Sequence, residues 1–143
     1  MGNLYNYIVN KDTTPKKKIF VVVKPGFLDK TSDILNIYNE EGWKLEFSTI
    51  KRLLLEEAKK LYICHKKKDF YDQLCEYMCS GVTRAFIFSN RTNNDEFEEA
   101  SLIKDKIRKK WGESDMRNVV HSSDSKENLW NEAGIYFGDC ILI

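Results

Sequence analysis

The residues best suited to chemistry lie in the segment from position 117 to 125, which reads Arg-Asn-Val-Val-His-Ser-Ser-Asp-Ser. We predict that its valines form a short strand ending at His121, and that the following serines and aspartate open a helix whose first amide groups favour anions. A neutral imidazole ordinarily keeps one ring nitrogen free, which makes His121 a candidate nucleophile toward a phosphoryl group. A single histidine at a strand end more often packs or forms a hydrogen bond, so the assignment needs further signals.

Those signals are short motifs that stand in a fixed order along the chain. They are Phe20-Val21-Val22-Val23-Lys24-Pro25, Tyr77-Met78-Cys79-Ser80-Gly81, Asn118, His121, Ser123-Asp124-Ser125, Glu132 and Ile135-Tyr136-Phe137. In this order and at this spacing they resemble the motifs of nucleoside diphosphate kinases. The resemblance runs from about Lys18 to Phe137, nearly the whole chain.

The resemblance implies a kinase that works by a ping-pong mechanism. His121 would take the terminal phosphate of a nucleoside triphosphate, typically ATP, and pass it to a nucleoside diphosphate. Glu132 would accept a hydrogen bond from the histidine ring, with the Ser123 hydroxyl in support, and Lys24 would contact the phosphate next to the ring. Read from the residues alone, Glu132 is equally compatible with a solvated helix position.

The resemblance also assigns residues to nucleotide binding. Lys24 and Arg108 would hold the phosphates, and the planar guanidinium of Arg108 suits two-pronged phosphate contact. Asn118 would bind near the ribose, Tyr62 would line the site, and Phe70 would stack on the base, although ordinary core packing is the simpler interpretation of a phenylalanine. Mg²⁺ would arrive with the nucleotide, and no metal site built by the protein is expected.

Two departures from the family pattern bear on whether catalysis is retained. Lys24-Pro25-Gly26 lacks the aspartate of the family's Lys-Pro-Asp-Gly, and several residues are missing from the segment 91–107. Ser101 stands where a second phosphate-binding arginine is expected. Three other cations are candidates to replace it: Arg91, Lys104 and Lys106. The competing hypothesis is therefore a non-catalytic family member that binds nucleotides or partner proteins.

The elements that would position these residues follow from hydrophobic periodicity. Strands are predicted for residues 19–23, 43–47, 82–88 and 117–120, the second with one buried face. Helices are predicted from a cap at Thr31 or Ser32 to Gly42, over 53–62, 69–79 and 96–104, and from a capping box of Asp124 and Glu127 onward. This order predicts an α/β (α+β) fold of ferredoxin-like type, βαββαβ, with a four-stranded antiparallel sheet covered by helices.

The domain plan predicts an extension over residues 1–17, a kinase-like domain over 18–137 and a short tail over 138–143. Cys140-Ile141-Leu142-Ile143 has the form of a prenylation signal and Gly2 could accept an acyl chain, but neither matches its pattern well. Membrane contact is expected only if Cys140 or Gly2 is lipidated. The resemblance implies a homo-oligomer, either a hexamer or a dimer formed through the second strand and first helix.

Composition excludes several other classes of protein. The chain of 143 residues has a formal charge of +1, which gives no reason to expect binding to nucleic acid. An RNA-binding domain of ferredoxin-like fold would need aromatic RNP motifs that are not present.

The four cysteines form no CxxC pair, so reduced thiols are expected, and Cys75 and Cys79 should pack on one helix face. With no apolar run long enough to span a bilayer, a cytoplasmic protein is predicted. His65, in a lysine-rich turn, is expected to be exposed and without a role.

Overall fold

The computed structural model describes residues 13–138, which form a four-stranded sheet with helices on both faces. The strands, in sheet order β2, β3, β1, β4, are all antiparallel to their neighbours. The elements in chain order are β1 (Lys16–Val23), α1 (Thr31–Glu40), β2 (Lys44–Lys51), α2 (Leu55–Leu61), α3 (Tyr71–Cys79), β3 (Thr83–Arg91), α4 (Glu96–Trp111), β4 (Val120–Ser122) and α5 (Lys126–Phe137). The predicted ferredoxin-like fold is confirmed.

The two central strands are apolar on both sides because a helical layer covers each face of the sheet. Phe20 and Val22 of β1 pack with residues of α2, α3 and α5 on one face. Ile19, Val21 and Val23 pack with residues of α1 and α4 on the other. The continuous β-branched run that predicted a fully covered strand is therefore matched by two separate cores.

The pairing of β1 with β4 brings the chemistry together. His121 lies opposite Val22, and the backbone N–H of Lys24 donates to the carbonyl oxygen of Val119 at 2.8 Å. The end of one strand and the start of its neighbour therefore place lysine and histidine side by side. His121 is the middle residue of β4 and not its end, because β4 is shifted toward the C-terminus relative to the predicted 117–120.

The prediction that the second strand buries one face is wrong for the single chain. β2 lies at the edge of the sheet, and Leu45 and Phe47 are 42% and 44% exposed. The alternating pattern was real, but only Trp43, just before the strand, is buried. Apolar residues on an edge strand point to a surface that could pair with another strand.

The helix limits also differ from the prediction at three places. α4 extends seven residues beyond the predicted Lys104 and ends at Trp111. α1 has no side-chain cap, and the Thr31 hydroxyl instead donates to the carbonyl oxygen of Leu28 in a preceding 3-10 turn. The cap of α5 is Ser125, whose hydroxyl accepts from the backbone N–H of Asn128, so the predicted capping box is wrong.

β1 begins at Lys16, two residues before the predicted domain start, while Cys140 and Gly2 lie outside the described residues. Cys75 is buried and Cys79 partly buried, both packing in one core, as expected. None of the described helices is both long enough and apolar enough to cross a membrane.

Candidate active site

The predicted site residues converge on one cavity of about 540 Å³ beside the β1–β4 edge. Seven of the eight line its wall: Lys24, Tyr62, Phe70, Arg108, Asn118, His121 and Glu132. The eighth, Ser123, is buried behind Glu132 and touches the cavity only through it. Residues from four separate parts of the chain therefore meet at one cavity.

At the centre of the cavity wall, His121 is held by a carboxylate. Its Nε2 is hydrogen-bonded to Oε1 of Glu132, and the Ser123 hydroxyl donates to the same oxygen at 3.1 Å. Glu132 is only 7% exposed, so it is not a solvated helix residue. A carboxylate on Nε2 favours the tautomer that carries its proton there and leaves Nδ1 as a free lone pair.

Three cations share the cavity wall. Lys24 is 3% exposed, and its burial, with Arg108 and Lys104 nearby, lowers its pKa to about 7. Arg108 donates from Nε and Nη2 to the carbonyl oxygen of Val120, at 3.3 and 2.9 Å, which fixes the guanidinium beside the histidine strand. None of the three forms an ion pair within residues 13–138, although two aspartates and Glu132 also line the cavity. The cations are therefore available to an anionic ligand.

Lys104 is the third of these cations, and of the three candidates to replace the missing arginine it is the one that lines the cavity. It lines the cavity one turn before Arg108 on α4, and partial burial together with Arg108 lowers its pKa. The other candidates face elsewhere, since Arg91 donates to the carbonyl oxygen of Thr14 and Lys106 pairs with Glu41 at 3.4 Å. Ser101 is exposed and does not line the cavity.

Aromatic rings form the remaining walls. Tyr62 meets the His121 ring edge-on, with centroids 5.1 Å apart, and burial raises the pKa of its hydroxyl. Phe70 is 43% exposed and lines the cavity, so core packing does not explain it. His65 lies between them, 5.5 Å from the Phe70 ring and 6.2 Å from the Tyr62 ring. The expectation that His65 is exposed is therefore wrong, because it is half-buried and lines the cavity.

The loop before β4 carries backbone strain that sequence patterns do not reveal. Asn118 donates from Nδ2 to the carbonyl oxygen of Asp115 at 2.7 Å, and its buried Oδ1 has no partner among the described residues. The next residue, Val119, has φ of 79°, a conformation that β-branched residues rarely adopt. Strain of about 1–3 kcal/mol at such positions is a feature of functional sites.

Comparison with known proteins shows which family the chain belongs to. The model of the nucleoside diphosphate kinase family matches residues 17–141. This chain belongs to that family. A nucleoside diphosphate kinase of Persephonella marina is 32% identical over 135 residues, covering 85% of this chain and 93% of that protein, and one of Fervidobacterium nodosum is 29% identical over 141 residues, covering 89% of this chain and 92% of that protein.

Solved nucleoside diphosphate kinases share the fold of this family member. The enzyme from Encephalitozoon cuniculi aligns with a TM-score of 0.74 at 24% identity, covering 86% of this chain and 90% of that one. The enzyme from Aquifex aeolicus aligns with a TM-score of 0.67 at 23% identity, covering 90% and 96%. The sheet order and helical layers described above are therefore those of the nucleoside diphosphate kinase fold.

Proposed function

We propose that this protein is an active nucleoside diphosphate kinase in which Nδ1 of His121 carries the phosphoryl group. The observation that carries the proposal is the hydrogen bond between Nε2 of His121 and Glu132, inside a cavity whose wall holds three cations. A structural histidine would not need a buried carboxylate on one nitrogen, a free second nitrogen and an anion-attracting pocket around it. Catalytic residues are His121, Glu132, Lys24 and Ser123.

The reaction follows from these positions. Nδ1 attacks the terminal phosphorus, the new P–N bond forms as the P–O bond to the leaving diphosphate breaks, and the nucleoside diphosphate departs with both bonding electrons. A second diphosphate reverses these steps. Charge builds on the phosphoryl oxygens during transfer, where Lys24 and Arg108 stand. Glu132 stabilises the positive charge that the ring acquires when Nδ1 is phosphorylated.

The remaining nucleotide contacts extend outward from the histidine. Tyr62 borders the phosphates, Asn118 offers its unpaired Oδ1 and Phe70 offers a ring face to the base. Stacking tolerates many bases, which suits a broad range of nucleoside tri- and diphosphates. Mg²⁺ bound to the phosphates would neutralise part of their charge. Within residues 13–138 there is no group of three or more His, Cys, Asp or Glu side chains that could hold a metal ion.

A pulse and chase tests the proposal directly. The protein is incubated with γ-labelled ATP and Mg²⁺, separated from nucleotide, and then mixed with unlabelled GDP. We expect acid-labile label on the protein and its transfer to GTP on the chase. Nucleotide binding without any label would contradict the proposal and favour a non-catalytic binding module.

Lys104 is expected to contribute one phosphate contact. Losing a charged hydrogen bond costs about 1.5–3 kcal/mol, so Lys104→Ala should raise the KM for ATP roughly 10- to 100-fold. Lys106→Ala is the matched control on the same helix, since Lys106 pairs with Glu41 outside the cavity. Steady-state kinetics of both variants check the result. If Lys104→Ala and Lys106→Ala have the same KM for ATP, Lys104 does not contact the nucleotide phosphates.

Self-association through the edge strand is also part of the proposal. β2 offers unpaired backbone groups and exposed Leu45, Phe47 and Ile50, which a second copy of β2 would cover. We expect a dimer as the basic unit of any larger assembly, and Phe47→Asp should shift it to monomer. Sedimentation velocity checks this, with Leu102→Asp, an exposed residue of α4, as the control. The cytoplasmic location stays a prediction.

A further inference from the structure

The guanidinium of Arg117 packs against the turn that follows Lys24. It lies 5.4 Å from the ring centre of Phe27 and 5.3 Å from that of Tyr77. A Cβ built on Gly26 would be 2.9 Å from its Nη2 atom, so the group rests directly on the glycine. Gly26 also has φ of +89°, which favours glycine for a second reason.

The turn beneath the guanidinium sets the position of the catalytic lysine. Lys24 is followed at once by Pro25, whose carbonyl oxygen accepts the hydroxyl of Tyr77, and the N–H of Phe27 donates to the carbonyl oxygen of Lys24 at 3.2 Å. Arg117 and Tyr77 therefore hold the turn from two sides. A shift of this turn would move the backbone that carries the Lys24 side chain.

Arg117 is itself fixed by its own loop. Its carbonyl oxygen accepts the N–H of Glu113 at 2.8 Å, its N–H donates to the Ser114 hydroxyl at 2.9 Å, and its Nε donates to the Glu113 carboxylate at 3.0 Å. The same loop supplies the carbonyl oxygen of Met116 to Nζ of Lys24, at 3.3 Å. The loop therefore touches both the lysine head group and, through Arg117, the turn behind it.

We infer that Arg117 is a positioning residue that clamps the turn at Gly26 and thereby holds Lys24 against the reacting phosphoryl group. The inference rests on the proposed kinase activity. Its main contribution comes from the cation–π contacts with the two rings and from packing against the glycine. The ion pair with Glu113 is partly exposed on both sides and contributes little.

Three single variants separate stacking from charge. Arg117→Met removes both, Arg117→Lys keeps the charge but loses the planar group, and Glu113→Gln removes only the ion pair. We expect both substitutions of Arg117, to methionine and to lysine, to lower kcat about 10-fold, which is a loss of about 1.4 kcal/mol in transition-state stabilisation. The KM for ATP should change less. Glu113→Gln should stay close to wild type. A lower melting temperature with unchanged kcat would overturn the inference and leave Arg117 a purely structural residue.

The pH profile of kcat/KM gives a readout that fold stability alone does not move. Loosening the turn lets Lys24 reach water, so its alkaline limb should shift to higher pH in Arg117→Lys. The other titratable or charged groups around Lys24 on this cavity are Tyr62, Cys64, His65, Lys104, Arg108, Asp115, His121, Asp124 and Glu132. All of them are unchanged in the variant, and the charge at position 117 is retained, so an unshifted limb would count against the inference.

A double-mutant cycle tests the contact itself. Gly26→Ala places a methyl group against the guanidinium, so it should cost less activity in the Arg117→Met background than in wild type, because the positive-φ strain is common to both. Equal costs would contradict a direct clamp. Absence of phosphoenzyme in the wild-type protein would instead be a failure of the proposed kinase function, which keeps the two outcomes distinct.

Discussion

Replacing His121 by alanine is expected to remove acid-labile label from the protein and to reduce phosphate transfer by on the order of 10⁴-fold or more, as loss of a nucleophile does in other covalent enzymes. The physical reason is that no other described side chain combines a free nitrogen with a carboxylate partner in this cavity. The measurement is the pulse and chase with labelled ATP, followed by the rate of GTP formation.

The chain offers its own control for this substitution. It contains two histidines, and His65 lines the same cavity, so the His121→Ala protein still has one imidazole beside the bound nucleotide. Label that persists in the variant would assign the phosphohistidine to His65 and contradict the assignment to His121. Nucleotide binding measured by calorimetry should survive, because the cations and Phe70 remain in place.

Part of this site was predictable from the sequence because its residues are spaced by regular elements. Ser123 stands two residues after His121, and Glu132 lies on the helix that begins just beyond it. That helix brings Glu132 back to Ser123 and His121. Lys24 follows a strand whose last five residues are all apolar, a pattern typical of a central strand. Local pattern therefore fixed the strands and helices that deliver these groups, and the resemblance supplied their roles.

The sequence named three candidates for the missing cation, but it could not show which of them lines the cavity beside Arg108. Alignment by position places Ser101 where a second cation is expected, but α4 is one continuous helix of 16 residues, and position along its axis decides which side chains reach the cavity. Residues 101, 104 and 108 lie on one helix face, because positions three, four and seven apart share a face. Lys104 is one turn from Arg108, whereas Ser101 is nearly two turns, about 10 Å, along the axis and does not line the cavity. The pairing of Lys106 with Glu41 is a tertiary contact that no local pattern encodes.

The prediction that the second strand buries one face was wrong for a different reason. Alternating apolar and polar residues indicate that one face of a strand is covered, but they do not show which part of the protein or which partner covers it. Within residues 13–138, Leu45 and Phe47 stay 42% and 44% exposed, although the Phe137 ring lies 6.2 Å from that of Phe47. Another copy of the chain could bury the part of this face that remains exposed. The positive φ of Val119 could not be predicted either, because β-branched residues rarely adopt that conformation and nothing in the local sequence signals it.

Replacing Lys24 by methionine is expected to lower kcat about 100-fold while making the fold more stable. Removing one charged contact to the transferring phosphoryl group costs roughly 2.7 kcal/mol or more, by comparison with other transition-state donors. Methionine has a similar length and fills the same buried space without a charge. Single-turnover label formation measures the first effect, and denaturant unfolding in the absence of nucleotide measures the second.

The stability effect has a definite pH dependence. Burial lowers the pKa of Lys24 to about 7 in the folded chain, from 10.5, so the unfolded chain binds the proton more tightly. Wild-type stability should therefore rise with pH between about 7 and 10.5, and the advantage of Lys24→Met should be largest below pH 7 and shrink above it. Lys109→Met, at an exposed position of α4, should show no such advantage. A methionine variant that is less stable than wild type at about pH 6 would contradict this account. It would show that the contacts of Lys24 stabilise the fold by more than the desolvation of its charge costs, so that the buried lysine is not a stability cost kept for function.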